Sequence, residues 1–216
     1  MEENFCEDHS AMACELAVGL LPEGSGTEFD LEEAGRLLLP DGREVRARCR
    51  LDRLDRVGTS DCYVVRDFKT GKSARYQKNG PFHGGRFMQG AVYPSLGQAA
   101  LRERLGKEAK VVRFEYVFQK PSEARTLEWP VEDLADGMAK LALLCDMISS
   151  GCFPMTTDPS DVEYSDYLDA YVDVAAAIAD ITRKARNPAN DMLGPYRLLR
   201  GITPKQDGDE GEGCHE

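Results

Sequence analysis

The chain has 216 residues, 42% hydrophobic and 30% charged, which is enough to bury one sizeable core and is ordinary for a globular protein. No apolar run approaches the ~18 residues of a membrane span, and the acidic start Met1-Glu2-Glu3-Asn4 lacks the basic flank of a signal peptide. The net charge of −11 opposes bulk attraction to nucleic acid, so a polyanionic partner has to be met by locally concentrated positive charge.

In chain order, residues 1–24 show no clear periodicity. Cys6-x-x-His9 has half the spacing of a zinc site, but His83 and His215 lie too far off to complete it. The cysteines Cys6, Cys14, Cys49, Cys62, Cys145, Cys152 and Cys214 are seven in number with no Cys-x-x-Cys pair. That suggests neither a disulfide framework nor a standard zinc or cluster site, and a reducing, cytoplasmic setting without a membrane partner is expected. Residues 31–39 read as a short helix or strand. Residues 44–52 alternate as one half-buried strand, with Val45, Ala47, Cys49 and Leu51 inward and Arg46, Arg48, Arg50 and Asp52 on the wetter face. Turn chemistry at 57–61 joins this strand to Cys62-Tyr63-Val64-Val65, most simply as an antiparallel hairpin. That second strand runs directly into Asp67-Phe68-Lys69.

Side chains two apart on a strand share a face, so Asp67 and Lys69 project together. A carboxylate can hold Mg²⁺, and an ammonium beside it can orient water and offset phosphate charge, which suits a metal site for cutting phosphodiesters. The hairpin can bring Asp52 to the same edge, where two like carboxylates call for a cation between them. Gln89 and Tyr93, four apart on a segment of helical spacing that runs to about Leu105, share a face and offer neutral hydrogen-bonding groups to a phosphate or sugar. Taken singly, the first pair also fits a solvated surface ion pair, and the second a buried Tyr with a surface Gln.

Between these motifs, residues 73–85 are polar and contain Pro81, as either a flap over substrate or a long connection. Val112, Phe114, Tyr116 and Phe118 alternate over 110–119 as a third strand. Residues 131–150 and 164–185 read as packing helices, and the acidic end from about Gln206 has too little apolar surface to order. The result is an α/β core, a small sheet with a crossing helix. The expected organisation is an N-terminal segment over 1–24, one domain over 25–200 and an acidic tail over 201–216.

Three segments carry a resemblance when taken together and in order. Arg50-Leu51-Asp52-Arg53, Asp67-Phe68-Lys69-Thr70-Gly71-Lys72 and Gln89-Gly90-Ala91-Val92-Tyr93 are similar to the Arg-Ile-Asp-Arg, Asp-Tyr-Lys-Thr-Gly-Lys and Gln-x-x-x-Tyr motifs of the RecB-like nuclease domain of the PD-(D/E)xK superfamily. That family includes the nuclease ends of bacterial helicase–nuclease machines. The resemblance covers roughly residues 25–160, and three ordered motifs are far more specific than one. It implies a restriction-endonuclease-like core, a small central mixed β-sheet flanked by helices. It also implies that Asp52, Asp67 and the Phe68 carbonyl hold Mg²⁺ or Mn²⁺, that Lys69 is the catalytic lysine, and that Gln89 and Tyr93 belong to the site. The upstream acid of the family is best matched by Glu28 before Phe29, with Glu15, Glu23, Glu32 and Glu33 as competitors.

The departures are informative. Cys49 stands where the family usually has Gly, and Phe68 where it has Tyr; neither removes a metal ligand. Many relatives hold an iron–sulfur cluster on one early Cys and a late Cys-x2-Cys-x5-Cys run after a Phe-Pro turn. Here Cys152-Phe153-Pro154 supplies the turn, but Val162, Ser165 and Tyr171 occupy the matching positions, so no iron–sulfur cluster is expected. The expectation is a Mg²⁺- or Mn²⁺-dependent deoxyribonuclease of exonuclease type that acts on DNA in repair or recombination with a helicase subunit or domain. The sequence itself holds no Gly-x-x-x-x-Gly-Lys-Ser/Thr motor motif. The alternatives are a catalytically inactive nuclease-fold module for DNA or partner binding, and a nucleotide- or RNA-processing hydrolase on the same fold. Removing the five acids of 206–216 from −11 still leaves −6. Positive charge is therefore expected to be local, on Arg46, Arg48, Arg50, Lys69, Lys72, Arg75, Lys78 and Arg86, with tight DNA capture depending on a partner module.

Overall fold

A computed structural model of the chain describes residues 8–77, 80–120, 122, 124–162 and 171–205. These gather into two compact units, Met1–Leu141 and Ala142–Glu216. In the first unit, β1 (His9–Val18), β2 (Gly35–Leu38), β3 (Glu44–Ala47), β4 (Cys49–Val57) and β5 (Cys62–Lys69) lead through the short α1 (Ala74–Gln77) to α2 (Gln89–Arg104). Then come β6 (Lys110–Phe118) and β7 (Arg125–Pro130), and the division between the units falls within α3 (Gly137–Ser149). Five strands form one sheet in the order β1-β4-β5-β6-β7, and β2 pairs with β3 apart from it.

The β4–β5 pair is the expected antiparallel hairpin, with Arg53 opposite Arg66 and Leu54 opposite Val65. Gly58 at φ 53° and the Ser60 hydroxyl bonded to the Val57 carbonyl at 2.7 Å close its turn. β6 runs parallel to β5, which requires a crossover; α2 supplies it and packs back on the sheet. Gly97 makes that approach possible, because a Cβ there would sit 3.0 Å from Val65 Cγ2. The core between sheet and helix holds Leu51, Leu54, Val65, Leu96, Leu101, Phe114, Tyr116 and Phe118. The architecture is therefore α/β, a mixed five-stranded sheet flanked by helices, as expected.

Two local expectations change and one pair of alternatives is decided. Residues 44–52 are not one strand: the chain leaves β2's partner β3 at Ala47 and joins the main sheet as β4 at Cys49. Both halves keep one apolar face, so the alternation survives while the pairing partner switches. Of the helix and strand alternatives for residues 31–39 the strand is found, as β2 at Gly35–Leu38, whose Gly35 lies so close to α2 that a Cβ would meet Leu96 Cδ2 at 2.2 Å. Residues 73–85 are neither a free flap nor a bare connection in their described part. α1 and a 3₁₀ turn at His83–Gly85 form there, and Phe82 is 2% exposed, so burial of one aromatic pins the segment. β1 and β7 were not assigned from sequence. The helix expected over 131–150 begins as a 3₁₀ turn at Val131–Leu134 before α3.

The second unit contains α4 (Pro159–Val162), α5 (Val174–Arg186) and α6 (Gly194–Arg200). Of the helix expected over 164–185, residues 163–170 lie outside those described, and α5 starts where the Asp173 carboxylate accepts the Ala176 N–H at 2.9 Å. Cys152, Ala185, Leu193 and Tyr196 form its small core. Among the described residues, no helix is long and apolar enough to cross a membrane.

Candidate active site

Strand β5 carries Val65, Asp67 and Lys69 on the face toward α2, while Arg66 points to the other side. That opposite side is held by charge. Asp55, fully buried, binds Arg53 Nε at 2.6 Å and also Arg66, and Glu115, 3% exposed, binds Arg66 Nε at 2.7 Å and Arg113 Nε at 2.8 Å. Each buried carboxylate thus meets two guanidinium groups. A fully partnered network of this kind fixes β4, β5 and β6 relative to one another.

On the site face, Asp67 is 2% exposed. Its Oδ1 accepts a hydrogen bond from Gln89 Nε2 at 2.7 Å, and its Oδ2 is in ion contact with Lys69 Nζ. Lys69 Nζ also donates to Gln89 Oε1 at 2.9 Å. Gln89 therefore holds the acid with its amide nitrogen and the lysine with its carbonyl. One turn along α2, the Tyr93 hydroxyl accepts from Gln89 Nε2 at 3.3 Å, which is the shared helix face the spacing predicts. Asp52 comes in from β4. The β4–β5 ladder begins at Arg53, and one residue earlier Asp52 Oδ2 takes the Phe68 N–H at 2.7 Å. A side chain has replaced a strand carbonyl at the point where the hairpin opens. Five predicted positions, Asp52, Asp67, Phe68, Lys69 and the Gln89/Tyr93 pair counted together, thus converge on one end of the sheet.

The sixth prediction is different. Glu28 is exposed, between Thr27, whose N–H and hydroxyl are bonded to Asp30, and the fully buried Phe29. Among its competitors, Glu15 sits between Cys14 and Leu16, the partners of Arg53 and Leu51, so its backbone faces Asp52 across the sheet. Glu15 also has φ 56°, a left-handed conformation that a non-glycine residue rarely adopts. Glu23 is engaged with Arg50 Nη1 at 3.3 Å.

The electrostatics favour a cation. Burial pushes the Asp67 carboxyl above its usual range, Lys69 pulls it back down, and nearby Asp52 raises it again. Asp67 Oδ2 is buried, and its partner there is the Lys69 ammonium. Among the described residues, no three His, Cys, Asp or Glu side chains gather in a metal-binding group. Two carboxylates and a main-chain oxygen nevertheless form a hard donor set suited to Mg²⁺ or Mn²⁺, which complete their shells with water and substrate phosphate. The described cysteines, Cys14, Cys49, Cys62, Cys145 and Cys152, are free thiols. Val162 is buried and Tyr171 half-buried, while Ser165 lies outside the described residues.

Two aromatic residues of the site escape a reading by motif. Tyr116 on β6 is the direct neighbour of Asp67 in the parallel register, fully buried, with its hydroxyl unpartnered among the described residues. Burial moves that phenol far up, and the charge of Asp67 moves it further. Lys69 Nζ lies 5.1 Å from the Tyr116 ring centroid and 5.8 Å from that of Tyr76, close enough for both rings to attract the ammonium. In the sequence Tyr116 is one of four alternating apolar residues, and only the parallel pairing marks it out.

Comparison with curated proteins gives no match. A family model described as the PD-(D/E)XK nuclease superfamily matches residues 4–188. With that match over most of its length, and with Asp52, Asp67 and Lys69 assembled at one end of a mixed sheet, the chain belongs to the PD-(D/E)XK nuclease superfamily.

Proposed function

We propose that this protein is a divalent-metal-dependent deoxyribonuclease whose active site is Asp52, Asp67, Phe68, Lys69, Gln89 and Tyr93. The observation that carries the reading is the Asp67 carboxylate. It is buried, held through one oxygen by Gln89, opposed through the other only by an ammonium, and raised electrostatically by Asp52. Burial and Asp52 disfavour its charged form beyond what Lys69 offsets, and a divalent ion there would stabilise it.

Asp52, Asp67 and the Phe68 carbonyl would hold a Mg²⁺ or Mn²⁺ ion, which would supply Lewis-acid charge at the scissile phosphate and lower the pKa of a water there. The protein's own groups do the positioning. Gln89 fixes the Asp67 carboxylate and the Lys69 ammonium in one bidentate contact. Lys69 carries positive charge to the phosphate and orients the attacking water. Since the Tyr93 hydroxyl accepts from Gln89, its proton remains available to a phosphate or sugar oxygen. Tyr76 and Tyr116 form an aromatic wall behind the ammonium.

The order and spacing of the three motifs favour the RecB-like branch. With it come an exonuclease working in repair or recombination, and a helicase subunit or domain as partner. A catalytically inactive DNA- or partner-binding module is the second reading, and it is favoured by the fact that among the described residues no third acidic side chain gathers with Asp52 and Asp67. One assay separates the readings: the full chain with Mg²⁺, Mn²⁺ or EDTA on end-labelled single-stranded DNA, duplex DNA and RNA. Metal-dependent cutting of DNA is expected. Cutting of RNA alone moves the substrate class, and no cutting with retained DNA binding leaves the inactive module.

A further inference from the structure

The β2–β3 hairpin is built with like charges face to face. Arg36 and Arg46 are direct cross-strand partners, an arrangement that destabilises a hairpin unless something negative lies between the two side chains. Leu37 and the half-buried Val45 and Ala47 turn inward, so Arg36, the 70% exposed Leu38, Glu44 and Arg46 share the outward face. Arg48, just beyond the strand, is also exposed. These three arginines, with Glu33 and Ala34, line an open groove of about 820 Å³. Arg36 reaches Glu44 only at 3.8 Å between exposed groups, which is worth little. Among the described residues, neither Arg46 nor Arg48 has a hydrogen-bond or ion-pair partner.

Three of the other six bases expected to meet DNA are already occupied. Arg50 donates to the Leu21 carbonyl at 2.9 Å and pairs with Glu23, Lys69 belongs to the site, and Arg86 is 2.9 Å from His83 Nε2. In a chain of net charge −11, three arginines left facing one groove form a concentrated positive surface. Guanidinium forks match phosphate oxygens in pairs.

Resting on the nuclease reading above, we propose that the Arg36/Arg46/Arg48 groove is a second binding site, one that grips the backbone phosphates of the DNA strand away from the bond being cut. Arg48 precedes Asp52 by four residues, so along a strand the two Cα atoms are at most about 14 Å apart, and Arg46 and Asp52 at most about 21 Å. The groove therefore holds phosphates a few nucleotides from the metal site. A dinucleotide has one internucleotide phosphate, and with that phosphate in the metal site none is left for the groove.

The test uses the full chain with Arg36→Ala/Arg46→Ala, with Arg48→Ala alone, and with the charge-keeping Arg36→Lys/Arg46→Lys pair, all checked for fold by circular dichroism. Binding of a labelled single-stranded 30-mer is measured by anisotropy in EDTA across a salt series, and cleavage of the 30-mer and of a labelled dinucleotide is measured with Mn²⁺. The alanine pair is expected to weaken 30-mer binding at least tenfold and to flatten the salt dependence by roughly 0.7 per lost phosphate contact. Arg48→Ala is expected to lose about half as much slope as the pair, the lysine pair is expected to keep most of the slope, and dinucleotide cleavage is expected to be unchanged in every variant. Unaltered 30-mer affinity and slope in the folded alanine pair would overturn the proposal. So would an equal loss of dinucleotide cleavage, because the arginines would then be supporting the metal site. Wild-type protein that binds the 30-mer but cuts nothing defeats the nuclease reading, and the binding arms still decide the groove.

Discussion

Lys69→Met is the substitution whose consequences the site geometry constrains most tightly. The Lys69 and Asp67 side chains are 17% and 3% exposed, so the pair is nearly buried and Met keeps the length of the stem while deleting the charge. Removing one partner of a buried ion pair costs about 3–5 kcal/mol. With the lysine end partly wet, the lower bound of about 3 kcal/mol applies, which for a chain of this size lowers the metal-free Tm by about 6–12 °C. Gln89 Nε2 remains as a donor to Asp67, which keeps the loss from growing further.

The same geometry makes Lys69 a competitor of the ion. In the wild-type protein a cation approaching Asp67 Oδ2 meets an ammonium already there; in Lys69→Met it meets an uncompensated carboxylate. If the whole of that ~3 kcal/mol returns on binding, Mn²⁺ affinity rises about a hundredfold, and at a fixed ion concentration the metal-induced rise in Tm is larger in the variant than in wild type. Cleavage is expected to fall by about 10²–10³ all the same, the usual loss when one group that stabilises transition-state charge is removed. Thermal denaturation with and without Mn²⁺, calorimetric titration and DNA cleavage, repeated in Asp67→Asn and in the double variant, give the coupling between the two residues directly. A metal-free Tm unchanged by Lys69→Met, together with a Mn²⁺ shift no larger than wild type, refutes the competition and removes Asp67 from the ion.

Gln89→Ala is expected to lower both cleavage and Mn²⁺ affinity, because Gln89 holds Asp67 as well as Lys69; Tyr93→Phe is expected to slow cleavage on the order of a hundredfold with Mn²⁺ affinity kept, and calorimetry beside the cleavage assay separates the two. Tyr116→Phe deletes a buried hydroxyl with no partner among the described residues, so the apo protein should gain up to about 1 kcal/mol in stability, read as a higher urea midpoint, and a stability loss would mean the hydroxyl has an internal partner. Glu15→Gln should cost more cleavage than Glu28→Gln, since the Glu15 backbone faces Asp52 across β1–β4; the opposite order returns the upstream acid to Glu28.

What sequence could reveal here followed the range of the interaction. Two-residue alternation and turn chemistry are local, so the β4–β5 hairpin, the β6 strand and the α2 helix were readable, and with them the Asp67/Lys69 and Gln89/Tyr93 faces. The break at Arg48 was not, because Ala47 and Cys49 both turn inward whether or not the chain changes sheets between them. β7 hides for a related reason: only Leu127 and Trp129 of its six residues are even half-buried. The left-handed Glu15 depends on β1 meeting β4, a pairing between residues about forty apart. Tyr116 depends on a parallel register set by the α2 crossover, and nothing within either strand specifies it.

The charge of the chain looks different once pairings are counted by residue and not by total. Asp55 and Glu115 hold Arg53, Arg66 and Arg113 on the face opposite the site, so those three arginines serve the sheet and cannot attract a phosphate. Lys69 serves Asp67, and Arg50 serves Glu23 and the Leu21 carbonyl. Acid and base thus neutralise one another inside and along the edges of the sheet, and the field a nucleic acid meets is set by the few cations without an internal duty. Arg46 and Arg48 are of that kind, on a hairpin whose sequence neighbours lead straight into Asp52. Net charge therefore says little about whether this chain can take a polyanion, because attraction depends on which guanidinium groups the fold leaves unpaired and how near the metal ligands it leaves them.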